Sequence, residues 1–480
     1  MNSHPAVSLQ QRQYAAPASS LMTPRRLAIF LLVSDLFSLF FSLHLAHFLR
    51  FGYVPGTFSI ALLGITAVML IIFYIGDAYR PDLQIAGLWS PARTLICCVV
   101  GGLLLTSLSY LLQATALTYL SWRSVLLPGL AIFAIWSAVL RILAGAIAKS
   151  YARHSSCLLL GADHDTAQFE QDFAKWNPHS KLVILEDVPE TAAQPADRPS
   201  NNYDQSLVGV LSDLPFWSSL SWSGIIVSPS LKLGNQEAKE LMQIRFNGIP
   251  IYQLPEFYET FWQKLPSAFL RDNWLAFSKG FELVTNRTNF KLKRIIDVLA
   301  ATFLLLLLSP ILLITAIAIR CETPGSIFYS QLRTGQNGIP FRVYKFRSMR
   351  QDAEKGGVQW AQKRDPRVTR VGYWLRLMRI DELPQLWNVL RGDMSLIGPR
   401  PERPEFDAKL AAQIPYYNLR YLVKPGITGW AQVLYPYGAS IEDAYEKLSY
   451  DLYYIKNYSL WLDLQILFKT IRVVFLGKGR

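Results

Sequence analysis

Cysteine is scarce in this chain of 480 residues: Cys97, Cys98, Cys157 and Cys321 are the whole complement. They form no CxxC pair and no Cys/His metal pattern, and two are adjacent inside an apolar run, which excludes a disulfide framework. They read as small buried hydrophobes. A cleavable secretory signal is also lacking, because residues 1–20 are polar and the first apolar run is too long and has no cleavage site. Nor is there a glycine-rich dinucleotide turn. The nearest approach, Gly161-Ala162-Asp163-His164-Asp165, lacks the second and third glycines of that fingerprint. A structural or regulatory role suits that segment better than nucleotide chemistry.

Apolar residues are plentiful, at 51% with a mean hydropathy of +0.19, and they are clustered. Four runs, at about 27–49, 57–77, 94–115 and 124–146, are long enough to span a bilayer. Arg25 and Arg26 precede the first, and Lys149 and Arg153 follow the fourth. An even number of spans with positive outer flanks puts both ends in the cytoplasm. Asp35, His44 and His47 lie in the first run, where interhelical hydrogen bonding is the ordinary explanation. Residues 155–265 differ: Cys157–Gly161 reads as a buried strand meeting a turn, with further strands at Leu182–Leu185, Leu207–Val210 and Gly224–Val227 and helical stretches between. That alternation describes a small parallel α/β domain.

A fifth apolar stretch, Ile295–Ile319, is interrupted by Ser309-Pro310. Proline removes a helical hydrogen bond and crowds the preceding turn, so a kink is expected there. Basic residues flank both ends: Lys291, Lys293 and Arg294 before, Arg320 and Arg333 after. Such flanks fit a helix that enters the cytoplasmic leaflet and returns to the same side better than a single crossing. The net charge of +13 is concentrated here, since residues 291–480 hold 28 Lys and Arg against 16 Asp and Glu, a net of +12. An excess of that kind beside apolar runs suits lipid headgroups or phosphorylated substrates. Nucleic acid has no fold signature to support it. The basic, aromatic segment Ser459–Leu476 suits a membrane interface or an amphipathic core helix equally.

The densest polar and Gly/Pro signal runs from Lys345 to Gln432. It contains Tyr344-Lys345-Phe346-Arg347-Ser348-Met349, then Arg376-Leu377-Met378-Arg379-Ile380-Asp381-Glu382-Leu383-Pro384-Gln385. Gly398-Pro399-Arg400-Pro401-Glu402 and Lys424-Pro425-Gly426-Ile427-Thr428-Gly429-Trp430-Ala431-Gln432 follow. Rigid turns bearing Arg and Lys suit a pocket that fixes phosphates. Adjacent carboxylates at Asp381 and Glu382 point in different directions, so one can attack phosphorus while the other holds a divalent cation. Hard oxygen ligands shared with substrate phosphates indicate Mg2+.

These motifs, in order over about 190 residues, resemble the catalytic domain of the bacterial sugar transferases, the monotopic phosphoglycosyl transferase superfamily. With four spans and an α/β domain ahead, the whole chain looks like the long polyprenyl-phosphate hexose-1-phosphate transferases, and Gly398–Phe406 and Tyr437–Tyr454 look most like the exopolysaccharide branch. The resemblance implies a membrane protein of α plus α/β class. Its expected parts are an N-terminal cytosolic tail (1–24), a four-helix transmembrane bundle (25–150), a degenerate Rossmann-like α/β domain (151–265), a linker (266–289) and an α/β catalytic domain (290–480). A re-entrant membrane helix at about 292–320, broken at Ser309 and Pro310, would anchor the last.

Carried over residue by residue, the resemblance implies that Asp381 attacks the sugar-bearing phosphate of a UDP-sugar and expels UMP. The phosphosugar would then pass to undecaprenyl phosphate, the first membrane step of exopolysaccharide, O-antigen or capsule synthesis. Glu382 would bind Mg2+. Arg376 and Arg400 match basic positions assigned to substrate phosphates; Arg379, Pro399, Pro401, Lys345 and Arg347 are further substrate-binding candidates. The expected partners are the two substrates and the bacterial inner membrane, with the catalytic domain on its cytoplasmic face, no nucleic acid, and room for a homodimer. Two rival classes are an oxidoreductase or dehydratase acting on nucleotide sugars through the middle domain and a non-enzymatic membrane scaffold or transporter. The first needs a Gly-rich turn and a Tyr-xxx-Lys pair, which the middle domain lacks; the second rests on the spans alone. The sequence does not name the sugar.

Overall fold

The computed structural model describes residues 24–54, 60–76, 78–79, 89–111, 123–154, 156–161, 164–178, 180–186, 207–218, 220, 222–350, 365–435, 438 and 440–475. The expected tail before Pro24, Ala162 and Asp163 of the Gly161 turn, and Tyr437 lie outside them. The chain divides into two compact units, Met1–Leu254 and Pro255–Arg480.

The first unit opens with apolar helices α1 (Pro24–Phe51), α2 (Ile60–Ile75), α3 (Trp89–Leu111) and α4 (Arg123–His154). Within α1, α3 and α4, Leu27–Phe51, Pro91–Leu108 and Ser124–Ile147 are long and apolar enough to cross a bilayer. Among the described residues, helix α2 has 16, about 24 Å at 1.5 Å per residue against a hydrocarbon core of ~30 Å. This is a membrane protein. Leu39, Leu43, Met69, Phe73, Leu126 and Phe133 form the centre of the bundle.

A polar pair is buried in the same bundle. Asp35 of α1 receives Arg141 of α4 through both nitrogens, at 3.1 and 2.7 Å, and the Ser137 hydroxyl at 2.6 Å. Interhelical bonding therefore holds for Asp35, with a partner the sequence did not mark. His44 and His47 instead donate from Nδ1 to the backbone carbonyls of Phe40 and Tyr53.

The α/β part follows with β1 (Ser156–Leu160), α5 (His164–Trp176), β2 (Lys181–Glu186), β3 (Leu207–Val210), β4 (Gly224–Val227), α6 (Asn235–Phe246) and β5 (Ile251–Gln253). The five strands are parallel in the order β3-β2-β1-β4-β5, so the chain winds outward from β1 in both directions. A doubly wound sheet opens its ligand crevice beyond the carboxyl ends of β1 and β4. Here a Cβ on Gly161 would meet Leu231 Cβ at 2.9 Å and Ser228 Cβ at 3.3 Å. The loop after β4 thus packs directly on the turn after β1.

The second unit is built on α7 (Arg287–Glu322), a 36-residue helix capped by the Asn286 side chain and containing Pro310. Hairpin β6 (Phe328–Thr334) and β7 (Pro340–Phe346) is followed by α8 (Arg370–Leu377), a 3-10 turn at Ile380–Glu382, α9 (Gln385–Arg391), β8 (Ser395–Ile397), α10 (Pro404–Gln413), β9 (Gly426–Thr428), α11 (Ile441–Lys456) and α12 (Leu460–Phe475). Residues 266–289, read from sequence as a linker, belong to this unit. The Phe281 N–H donates to the Lys456 carbonyl at 2.9 Å, and just upstream Lys456 pairs with Glu259 at 2.6 Å.

One face of α7 packs along its length. Ala301, Leu304 and Leu305 meet Val343, Leu386, Val389 and Met394, while Leu312, Ala316 and Ile319 meet Phe346 and Leu375. The other face presents Phe303, Leu306, Leu307, Leu313 and Ile314 to the surroundings, and only 11% of its most apolar window is buried. Both ends of the helix are fastened to the one unit. Lys293 pairs with Asp463 at 2.7 Å and Asp297 accepts from the Leu396 N–H near the start, while Glu322 accepts from the Val371 N–H at the finish. Ser309 donates to the Leu306 carbonyl at 2.8 Å, beside Pro310 on the exposed face.

Candidate active site

The turn carrying Asp381 and Glu382 is aimed by two backbone peculiarities. Helix α8 ends at Leu377, and Arg379 adopts the left-handed conformation with φ at +55°, which costs a non-glycine residue on the order of 1 kcal/mol. That reversal directs Ile380-Asp381-Glu382 back toward β7. Helix α8 is in turn seated by Gly372, where a Cβ would lie 2.1 Å from the Ser348 carbonyl oxygen; no other residue permits that approach. The seating brings Arg376 Nε to Ser348 Oγ at 2.9 Å.

The two carboxylates are both buried and differ sharply in engagement. Glu382 Oε1 accepts from Lys345 Nζ and from an Arg400 guanidinium nitrogen, each at 2.7 Å, and Oε2 has longer contacts to Arg379 at 3.4 Å and Arg400 at 3.5 Å. Asp381 accepts no hydrogen bond from the described residues, yet the charges of Lys345, Arg376 and Arg400 act on it. Burial raises Glu382, but Arg400 and Lys345 outweigh it and hold that carboxyl well below its ordinary value. For Asp381 the balance reverses: burial, and then the Glu382 charge, push its carboxyl up to about 6. Two adjacent acids are thereby separated into a fixed anion and a carboxylate that is basic and unsolvated, which suits a nucleophile.

Of the candidates from sequence, Lys345, Arg376, Arg379 and Arg400 gather round the acid pair. Pro399 and Pro401 offer carbonyls rather than their rings: the Gly426 N–H donates to the first at 2.8 Å and Arg333 to the second at 3.1 Å. Arg347 faces away. It is buried and donates to the carbonyls of Pro324 and Thr323 at 2.8 and 2.7 Å, bracing the end of α7. Arg333 went unmarked as a site residue. From β6 it lies 3.6 Å from Glu402 and shares the electrostatic neighbourhood of Glu382 and Arg400; only its place opposite Phe341 in the hairpin register brings it there.

No group of three or more His, Cys, Asp or Glu could hold a metal among the described residues. A Mg2+ held by one or two carboxylates with substrate phosphates needs no such group. The loosely engaged Oε2 of Glu382 fits that description, whereas Oε1 is already committed to two cations.

The loop following β8 is held by backbone packed on backbone. Gly398 N–H donates to the Thr428 carbonyl at 2.9 Å, and a Cβ on Gly426 would lie 2.1 Å from Gly398 N. The two Gly/Pro motifs therefore fix Arg400 as one piece.

Residues 288–477 match the model of a family described as bacterial sugar transferase. Over 231 residues the chain is 47% identical to the UDP-N-acetylgalactosamine-undecaprenyl-phosphate N-acetylgalactosaminephosphotransferase of Aeromonas hydrophila, covering 48% of this chain and 53% of that one. It is 46% identical over 181 residues to the UDP-glucose:undecaprenyl-phosphate glucose-1-phosphate transferase of Caulobacter vibrioides, with 37% and 68% covered. A protein of the same description in Escherichia coli is 43% identical over 193 residues, with 40% and 42% covered. The chain spans about half the length of the first of these relatives. On the family match and the Caulobacter relative, whose length it covers by more than two thirds, the chain belongs to the bacterial sugar transferase family.

Proposed function

We propose that this chain transfers a hexose-1-phosphate from a UDP-sugar to undecaprenyl phosphate, starting polysaccharide assembly on the cytoplasmic face of the inner membrane. A carboxylate oxygen of Asp381 attacks the sugar-bearing phosphorus, the bridging P–O bond breaks, and UMP leaves with those electrons. An oxygen of undecaprenyl phosphate then attacks the same phosphorus and displaces the carboxylate, giving undecaprenyl-diphosphate-sugar and regenerating Asp381. The observation that carries this reading is the contrast within the pair: a pinned Glu382 beside an unengaged Asp381 whose carboxyl rises to about 6, in a ring of four cations.

Positioning and charge neutralisation are the main demands of phosphoryl transfer. Lys345, Arg376, Arg379 and Arg400 supply positive charge to the diphosphate. Glu382 would hold Mg2+, which would polarise a phosphoryl oxygen when bound. The relatives' names agree on undecaprenyl phosphate and differ in the sugar, so the hexose is left open.

The monotopic placement of α7 draws support from its fastenings. Lys293 and Asp297 at one end and Glu322 at the other bond to the same compact unit, and a straight crossing would put those partners in different compartments. A return at Pro310 keeps them together and leaves the exposed leucines in lipid. Trp374, Met378 and Trp387, exposed on either side of the acid pair, suit the interfacial belt where an acceptor phosphate lies.

The test is UMP release from a panel of UDP-sugars by the full-length protein in undecaprenyl-phosphate vesicles. With acceptor omitted, label from the sugar phosphate should stay on denatured wild type and be absent from Asp381→Asn. Equal UMP release by the two would overturn the assignment.

A further inference from the structure

A second cationic recess lies apart from the acid pair. It is a shallow recess, partly open to solvent, lined by Phe290, Lys293, Arg294 and Asp297 of α7, by Ser395, and by Leu422, Val423 and Lys424 before β9. Helix α9 separates it from the catalytic turn. Asp381 lies before the N-terminus of that helix, while Arg294 donates to the carbonyls of Val389 and Leu390 at its C-terminal end. Seven residues of helix correspond to roughly 10 Å.

The charges of the recess are unevenly matched. Lys293 is paired with Asp463. Arg294 spends its hydrogen bonds on neutral carbonyls. Lys424 places its ammonium over the Phe290 ring at 5.7 Å, and no carboxylate lies within salt-bridge distance of it among the described residues. A Cβ on Gly392 would find Arg294 at 3.4 Å and Lys424 at 3.5 Å, so the two cations converge on one spot. Burial, and then Arg294, hold the Lys424 ammonium below the ordinary lysine value. Asp297 and Asp393 act against this, but Asp297 accepts from the Leu396 N–H and Asp393 lies 3.4 Å from Arg391. Like charges brought together beside apolar side chains are stabilised by an anion that bears apolar chains of its own. The recess also sits where α7 changes character, immediately before the exposed Ile295, Ile296 and Leu299.

We propose that Arg294, Lys424 and Phe290 form a headgroup site for the phosphate of an anionic phospholipid, separate from the acceptor lipid. The acceptor's phosphate must reach Asp381, and a phosphate seated beyond the far end of α9 cannot. The occupant therefore stays bound through turnover and fixes the entry end of α7 at headgroup depth. This rests on the membrane placement of α7 and not on the chemistry at Asp381.

The experiment uses the full-length protein in nanodiscs of phosphatidylcholine, with and without phosphatidylglycerol, comparing wild type, Lys424→Gln and Lys424→Arg. Phosphatidylglycerol retained by the protein after extraction is counted by native mass spectrometry, and circular dichroism in phosphatidylcholine checks that each variant is folded. Wild type and Lys424→Arg should retain one more phosphatidylglycerol than Lys424→Gln, whose affinity should be about five-fold weaker for the one charge removed. Equal retention by wild type and Lys424→Gln would overturn the site, as would competition by millimolar inorganic phosphate, which would make it a pocket for free phosphate. Asp381→Asn should retain the lipid as wild type does, so failure of the catalytic assignment and failure of this one give different results.

Discussion

Replacing Asp381 by asparagine should make the catalytic unit more stable while abolishing transfer. The carboxyl titrates at about 6 in the folded protein against an ordinary 3.8, so ionising it costs the folded state more than the unfolded chain. At about 1.4 kcal/mol per tenfold change in proton affinity the difference is roughly 3 kcal/mol. The sign follows from the raised value: the cost is nil below about pH 4, grows between pH 4 and 6, and is complete above 6. Asparagine fills the same volume without ionising and removes the cost. Thermal unfolding followed by tryptophan fluorescence should show Asp381→Asn melting about 6–12 °C higher than wild type at pH 8, at 2–4 °C per kcal/mol for a unit of this size. The two should converge near pH 4. A variant no more stable than wild type at pH 8 would refute the claim that burial and Glu382, rather than the surrounding cations, dominate the environment of Asp381.

Three further outcomes follow. The transfer rate of wild type should rise with pH through about 6 as Asp381 ionises, and Glu382→Gln, lacking the neighbouring charge, should shift that rise to lower pH; an unmoved pH profile would contradict it. Arg347→Ala should lower the thermal midpoint through loss of its bonds to Thr323 and Pro324, about 1.5–3 kcal/mol, with KM for the UDP-sugar unchanged, as steady-state kinetics will check. In the bundle, Asp35→Leu should cost about 3–5 kcal/mol because it strands Arg141, whereas Asp35→Leu with Arg141→Leu should recover most of that loss, measured as resistance to denaturing detergent.

What could be read from the sequence depended on how local each signal was. Strands at Leu182–Leu185, Leu207–Val210 and Gly224–Val227 lie within or match β2, β3 and β4, since a fully buried parallel strand is an uninterrupted apolar run. The long apolar helices were legible for the same reason. Contacts across distance were not. Arg141 lies inside the fourth apolar run and drew no notice in the sequence; only the packing of α1 on α4 brings it to Asp35, 106 residues away. Arg347 and Lys345 alternate in one extended segment, and nothing in that spacing says that Lys345 turns toward Glu382 while Arg347 turns toward Thr323. Arg333 joined the site only through the hairpin register. The adjacency of Asp381 and Glu382 was evident, but which of them is pinned depends on Arg400 and on the Gly398–Gly426 contact that sets it.

The double fastening of α7 bears on how the proposed transferase would meet a soluble donor and a lipid acceptor. With both helix ends tied to one unit, the proposed membrane placement would give the catalytic turn a fixed height above the bilayer. The proposed donor would then arrive by three-dimensional diffusion, whereas the acceptor would be searched for in a plane. Turnover should follow surface-dilution kinetics: adding inert phospholipid at constant acceptor lowers the rate, while diluting the whole vesicle suspension at saturating donor leaves the rate per enzyme unchanged. For the proposed reaction, the concentration that matters is counted per lipid, not per litre.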